Sequence, residues 1–127
     1  MNHFQRQGDE LHAEDVPLRE VATRFGTPTY VYSASTVRRH IRVLDESVGS
    51  LDHLLCYAVK ANANTALLEV IANAGCGFDT VSVGELARVL KAGGEPGKTI
   101  LSGVGKRDDE IAAALKAGVL YYGTGRR

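Results

Sequence analysis

Hydrophobic positions along this chain follow two regimes. From Pro17 onward, Leu18, Val21, Ala22 and Phe25 recur at helical spacing and Gly26 closes the run, which predicts a helix. Thr29 to Tyr32 then read as a short β-rich strand. A longer helix follows, with Val37, Ile41, Leu44 and Val48 as its apolar stripe and Arg38, Arg39 and Arg42 on other faces. From residue 54 one unit repeats: a short apolar run, a capped amphipathic helix and a glycine. This predicts strands at about 54–59, 78–82, 99–102 and 119–122, separated by helices at about 65–74, 83–92 and 108–117. Gly75, Gly93 and Gly118 follow those helices, where a left-handed residue is expected. Residues 1–16 lack periodicity and read as a flexible arm. The chain therefore divides into this arm, an entry segment at 17–50 with a helix, a strand and a helix, and repeated βα units over 51–127.

Strand starts about 20 to 24 residues apart leave room for one crossover helix each, so the strands are expected to be parallel. Open doubly wound sheets and (β/α)₈ barrels both satisfy that pattern, and periodicity does not choose between them. The length of 127 residues is about half of what a closed barrel uses. A whole open-sheet domain would need protected outer strands, and no charged edge strand is evident. The chain stops at Gly123 Thr124 Gly125 Arg126 Arg127, directly after the fourth predicted strand and without a covering helix. The expectation is a truncated α/β unit, through a frameshift or an early stop.

Charge removes some function classes. Fifteen basic side chains balance fifteen acidic ones, so no strong field favours nucleic acid or an anionic membrane. No apolar run approaches the roughly 18 residues of a membrane span, and the polar first 16 residues hold no signal core, so a cytoplasmic protein is expected. Cys56 and Cys76 form no CxxC pair and lie in or beside apolar segments, as buried free thiols do. His3, His12, His40 and His53 show no metal-ligand spacing.

Chemistry concentrates at Lys60, at the C-terminal end of the first repeated strand, where loops of parallel α/β folds converge on one crevice. A nucleophilic lysine must lose its proton, and the apolar run Leu54 to Val59 offers desolvation, while Ala61 and Ala63 leave room for a flat cofactor. A solvated surface lysine is the plain alternative. A phosphate-cradling P-loop is excluded: Gly97 Lys98 Thr99 has Ala92 where the motif needs glycine and precedes a strand, and Gly103 Val104 Gly105 Lys106 is followed by Arg107.

Three stretches carry a resemblance. Tyr57 Ala58 Val59 Lys60 Ala61 Asn62 resembles the lysine motif of diaminopimelate decarboxylases and their pyridoxal-phosphate relatives. Gly77 Phe78 Asp79 Thr80 Val81 Ser82 Val83 Gly84 Glu85 Leu86 looks like the second-strand motif of the same family, and Leu101 Ser102 Gly103 Val104 Gly105 Lys106 looks like its third-strand motif. Phe25 Gly26 Thr27 Pro28 Thr29 Tyr30 Val31 Tyr32 extends the likeness upstream. Three motifs in register are far more specific than one.

The resemblance implies an incomplete (β/α)₈ TIM-type barrel of the alanine-racemase kind, holding the first three to four βα units. Thr29 to Tyr32 would be lent to a separate β domain. It further implies a homodimer, pyridoxal 5'-phosphate held by Lys60, and Asp79 and Ser102 facing that cofactor. The family reaction converts meso-diaminopimelate to lysine and carbon dioxide. Ornithine or arginine decarboxylases and alanine racemase share Lys60 Ala61 Asn62, and a non-catalytic truncated product is the reading from another class.

Other residues in these motifs have structural accounts. Asp79 also suits a turn or a helix cap, and Ser82 with Glu85 forms a capping-box pattern. Asn64 suits an N-cap, and Lys106 and Arg107 are expected to pair with Asp108, Asp109 and Glu110. The family's glycine-rich phosphate loop, the acidic partner of its pyridine nitrogen and its second-domain residues have no counterpart here, and Tyr121 to Arg127 departs from its fourth strand.

Overall fold

A computed structural model describes residues 3–123. It divides into two compact units, one up to Val43 and one from Leu44. Among the described residues no helix is long and apolar enough to cross a membrane.

In the first unit, β1 (Phe4–Gln7) and β2 (Glu10–Ala13) form an antiparallel hairpin, and β3 (Val16–Pro17) adds to β2. The expected flexible arm is therefore a three-stranded meander. Its strands are mostly polar and exposed, so the backbone ladder rather than an apolar face holds them, and the composition carried little strand signal. Glu14, in the turn after β2, has φ 56, a left-handed conformation unusual for a side-chain-bearing residue. Its carboxylate accepts from Ser33 Oγ at 2.7 Å and from the Ser35 N–H at 2.9 Å, and so caps the start of α2 (Ala34–Val48) from 21 residues away. The Glu14 N–H donates to the His3 carbonyl at 2.7 Å.

The entry helix α1 (Leu18–Phe25) forms where its apolar spacing predicts, and the Gly26 N–H closes it onto the Ala22 carbonyl. Thr29 to Tyr32, expected as a strand, is irregular. A strand needs a neighbouring ladder, and no described segment pairs with this run, which leaves Tyr30 91% exposed.

The second unit is the repeated part. Among the described residues β4 (Cys56–Ala58), β5 (Gly77–Thr80), β6 (Thr99–Leu101) and β7 (Tyr121–Tyr122) form one parallel sheet in chain order. The crossovers are α3 (Thr65–Asn73), α4 (Val83–Lys91) and α5 (Asp108–Ala117). The strands are shorter than the apolar runs suggested because the flanking apolar residues belong to turns and loops. Val59, for instance, is fully buried inside the turn after β4. Thr124 to Arg127, which the sequence sets apart from the family pattern, lie outside the described residues.

Alternation along the strands separates two faces. Phe78, Thr80, Thr99 and Leu101 are fully buried and point to the helix side, where Leu101 packs with Leu86, Ala114, Val119 and Tyr122. The two buried threonine hydroxyls are satisfied by carbonyls, Thr80 Oγ1 donating to Ile100 and Thr99 Oγ1 to Glu95, each at 2.8 Å. The opposite face carries the rank Ala58, Asp79, Ile100 and Tyr121, paired directly across the four strands.

Local signals hold at the helix ends. Asn64 Oδ1 accepts from the Ala66 N–H at 3.0 Å and caps α3, and Ser82 Oγ accepts from the Glu85 N–H at 3.2 Å to cap α4. The Glu85 carboxylate accepts from the Val81 N–H, one residue earlier than a regular capping box would use. Gly75, Gly93 and Gly118 all take the expected positive φ.

Candidate active site

The three residues singled out in the sequence come from one edge of the sheet. Lys60 lies in the single 3₁₀ turn Val59–Ala61 that leaves β4, its side chain exposed above the buried Val59. The turn is braced by short-range bonds. Tyr57 Oη donates to the Asn62 carbonyl at 3.3 Å, and Asn62 Oδ1 accepts from the Asn64 N–H at 2.9 Å, linking the loop to the α3 cap. Ser102 follows β6; its N–H donates to the Thr80 carbonyl at 2.8 Å and its hydroxyl reaches the same oxygen at 3.4 Å.

Asp79 sits in β5 between Ala58 and Ile100, on the face away from the helices. Its Oδ1 is buried and has no hydrogen-bond partner among the described residues. Neither a turn nor a helix cap accounts for it, because α4 is capped by Ser82. Its negative charge reaches Cys56: burial first, and the Asp79 carboxylate second, push that thiol above its ordinary range. Burial likewise raises the Cys76 thiol. Both cysteines are free and protonated near neutrality, as a packing role requires and a thiolate nucleophile does not.

A buried, unpartnered carboxylate oxygen is costly, and a ligand that brings a hydrogen-bond donor or a positive charge would relieve that cost. The primary amine of Lys60, presented at the same edge, suits a ligand with a reactive carbonyl. The family model described as "Pyridoxal-dependent decarboxylase, pyridoxal binding domain" matches residues 34–125. The chain belongs to this decarboxylase family.

Relatives agree on a narrower group. The chain is 54% identical over 117 residues to the diaminopimelate decarboxylase of Vibrio cholerae, covering 91% of this chain and 28% of that protein. It is 50% identical over 119 residues to the Pseudomonas aeruginosa enzyme of the same name, covering 94% and 29%. The crystal structure of a Helicobacter pylori diaminopimelate decarboxylase mutant complexed with L-lysine superposes with a TM-score of 0.79 at 36% identity, over 84% of this chain and 27% of that one. The chain thus spans less than a third of the length of the curated relatives it matches.

Within the family, the β4–β7 sheet with its three helices is the expected incomplete (β/α)₈ barrel. Pyridoxal phosphate is the cofactor of this domain, and the residues present fit it: Lys60 would supply the amine, and the orphaned Asp79 oxygen would supply an acceptor.

Sequence reasoning missed Lys106. Of the expected local pairs, Arg107 makes a two-point ion pair with Asp109 at 2.9 and 3.0 Å, and its N–H donates to the Glu110 carboxylate at 3.0 Å. Lys106 instead donates to two backbone carbonyls, Gly103 and Gly123, each at 2.6 Å. No residue-level signal reveals this, because both acceptors are main-chain groups placed by the fold.

Proposed function

We propose that this domain serves a carboxy-lyase that removes carbon dioxide from meso-diaminopimelate to give L-lysine, with Lys60 holding pyridoxal phosphate and Asp79 and Ser102 facing it. The observation that carries the reading is an exposed amine in the turn leaving β4 beside a strand, β5, whose Asp79 keeps a buried, unsatisfied carboxylate oxygen. The substrate rests on the relatives, which bear that enzyme's name at about half identity, and on the L-lysine held by the Helicobacter pylori structure, which is the product of such a reaction.

Bound, pyridoxal phosphate supplies the electron sink for the pair left behind when carbon dioxide departs. The chain's own residues do the rest. Lys60 Nζ would hold the cofactor, and its free amine would move a proton as acid or base. Asp79 Oδ1 is a buried acceptor without a partner among the described residues, placed to receive a hydrogen bond from a donor beside it. Ser102 stands at the exit of β6, held by its N–H on Thr80, where its hydroxyl can turn toward the cofactor.

The same reading has the enzyme acting in the cytoplasm as a homodimer, which supports itself on the resemblance to the family. The experiment begins with pyridoxal phosphate and the purified protein: a visible absorbance band appears, borohydride fixes it, and peptide mapping finds the label on Lys60. Label on another lysine refutes the site. Release of carbon dioxide from ornithine in preference to meso-diaminopimelate, by the carboxy-lyase that this domain serves, refutes the substrate.

A further inference from the structure

Lys106 is half-buried, yet its ammonium avoids the acidic residues that follow it in sequence. Asp109 and Glu110 are engaged by Arg107, and two of the three Lys106 donors go to the carbonyls of Gly103 and Gly123. Those carbonyls belong to different loops. Gly103 lies in the loop leaving β6, with φ 89, and Gly123 lies in the segment leaving β7.

Each loop is also anchored to the sheet. Ser102 N–H is bonded to Thr80 of β5, and Gly123 N–H is bonded to Leu101 of β6 at 3.0 Å. The lysine therefore closes a circuit that runs from Thr80 through Ser102 and Gly103 to Lys106, then through Gly123 back to Leu101. Charge-assisted bonds to neutral carbonyls are short and strong, and here they replace the ion pair that a surface lysine would make. The circuit lies at the C-terminal edge, where Lys60 and Asp79 also stand.

We infer that Lys106 is a positioning residue: it ties the loop leaving β6 to the segment leaving β7 and so holds Ser102 and the Gly103–Gly105 backbone at the rim of the cofactor site. The clamp follows from the hydrogen bonds, whereas its consequence for the cofactor rests on the function proposed above.

Lys106→Met and Lys106→Arg test it, with amide hydrogen exchange and retention of pyridoxal phosphate as readouts. In Lys106→Met, exchange across residues 102–105 and at Gly123 rises, and cofactor retention weakens, each by on the order of tenfold. The β5 amides stay protected, which separates loosening of the rim from global unfolding, and Lys106→Arg restores most of both properties. Should Lys106→Met fail to fold, Lys106→Gln, which keeps an amide donor on a shorter arm, serves in its place. Unchanged exchange in the neutral variant overturns the clamp. Faster exchange with unchanged cofactor retention overturns its bearing on the site. A wild-type protein that takes no label on Lys60 refutes the proposed function and the cofactor half of this inference together, while the exchange comparison still decides the clamp.

Discussion

Asp79 concentrates the tension at the scale of single residues. Leaving a carboxylate oxygen buried without a partner costs about 1–3 kcal/mol, and the fold carries that cost in β5, where nothing local requires an acid. Asp79→Ala is therefore expected to leave urea stability of the cofactor-free protein unchanged or raise it by about 1 kcal/mol, while weakening pyridoxal phosphate binding. A fall in stability instead would mean that the carboxylate has a partner in the fold itself. Lys60 shows the reverse arrangement, since its side chain is exposed and the buried Val59 anchors its turn. Lys60→Ala is expected to keep the thermal midpoint within a degree or two and to abolish the borohydride-fixed label. The motifs offered Lys60 and Asp79 as candidates, but the unsatisfied oxygen was not legible there, because burial of one atom depends on everything packed around it.

Elements differ in how much of their stability is local. α3 and α4 carry their caps in their own sequences, as Asn64 and Ser82, and both form where the periodicity predicts. α2 borrows its cap from Glu14, across a turn and a helix. Hydrogen bonds from the Ser35 backbone first, then from the Ser33 side chain, hold the Glu14 carboxyl below the ordinary glutamate range. A depressed folded-state pKa means that this stabilisation is complete at neutral pH and is lost as pH falls through the folded value. Glu14→Gln is thus expected to cost about 1 kcal/mol at pH 7, read from exchange of the first-turn amides of α2, and nothing once the wild-type carboxyl is protonated. An equal cost at both pH values would show that shape rather than charge makes the cap. Close packing governs the turn after α4: a Cβ on Gly94 would come within 2.5 Å of Val89 Cγ1 and 2.9 Å of Phe78 Cε2. Gly94→Ala should lower stability by about 1–3 kcal/mol in denaturant titration.

At the scale of the whole molecule, the described chain forms two compact units, and the proposed cofactor residues Lys60, Asp79 and Ser102 all belong to the second. The proposed decarboxylation of meso-diaminopimelate and the proposed homodimer are also decided at this scale. Light scattering that reports a stable monomer in an active preparation would remove the dimer. The sequence by itself determined the parallel βα order, the caps of α3 and α4, and the family, because each is written in periodicity, turn chemistry or motif within a few residues. Tertiary structure alone decided that the first 16 residues include paired strands, that Thr29 to Tyr32 has no ladder among the described residues, that Glu14 caps a distant helix, and that Lys106 spans two loops. The physical reason is common to all four. Each depends on backbone groups brought together from separate parts of the chain, and every residue presents the same N–H and C=O groups, proline's missing donor excepted, whatever its side chain.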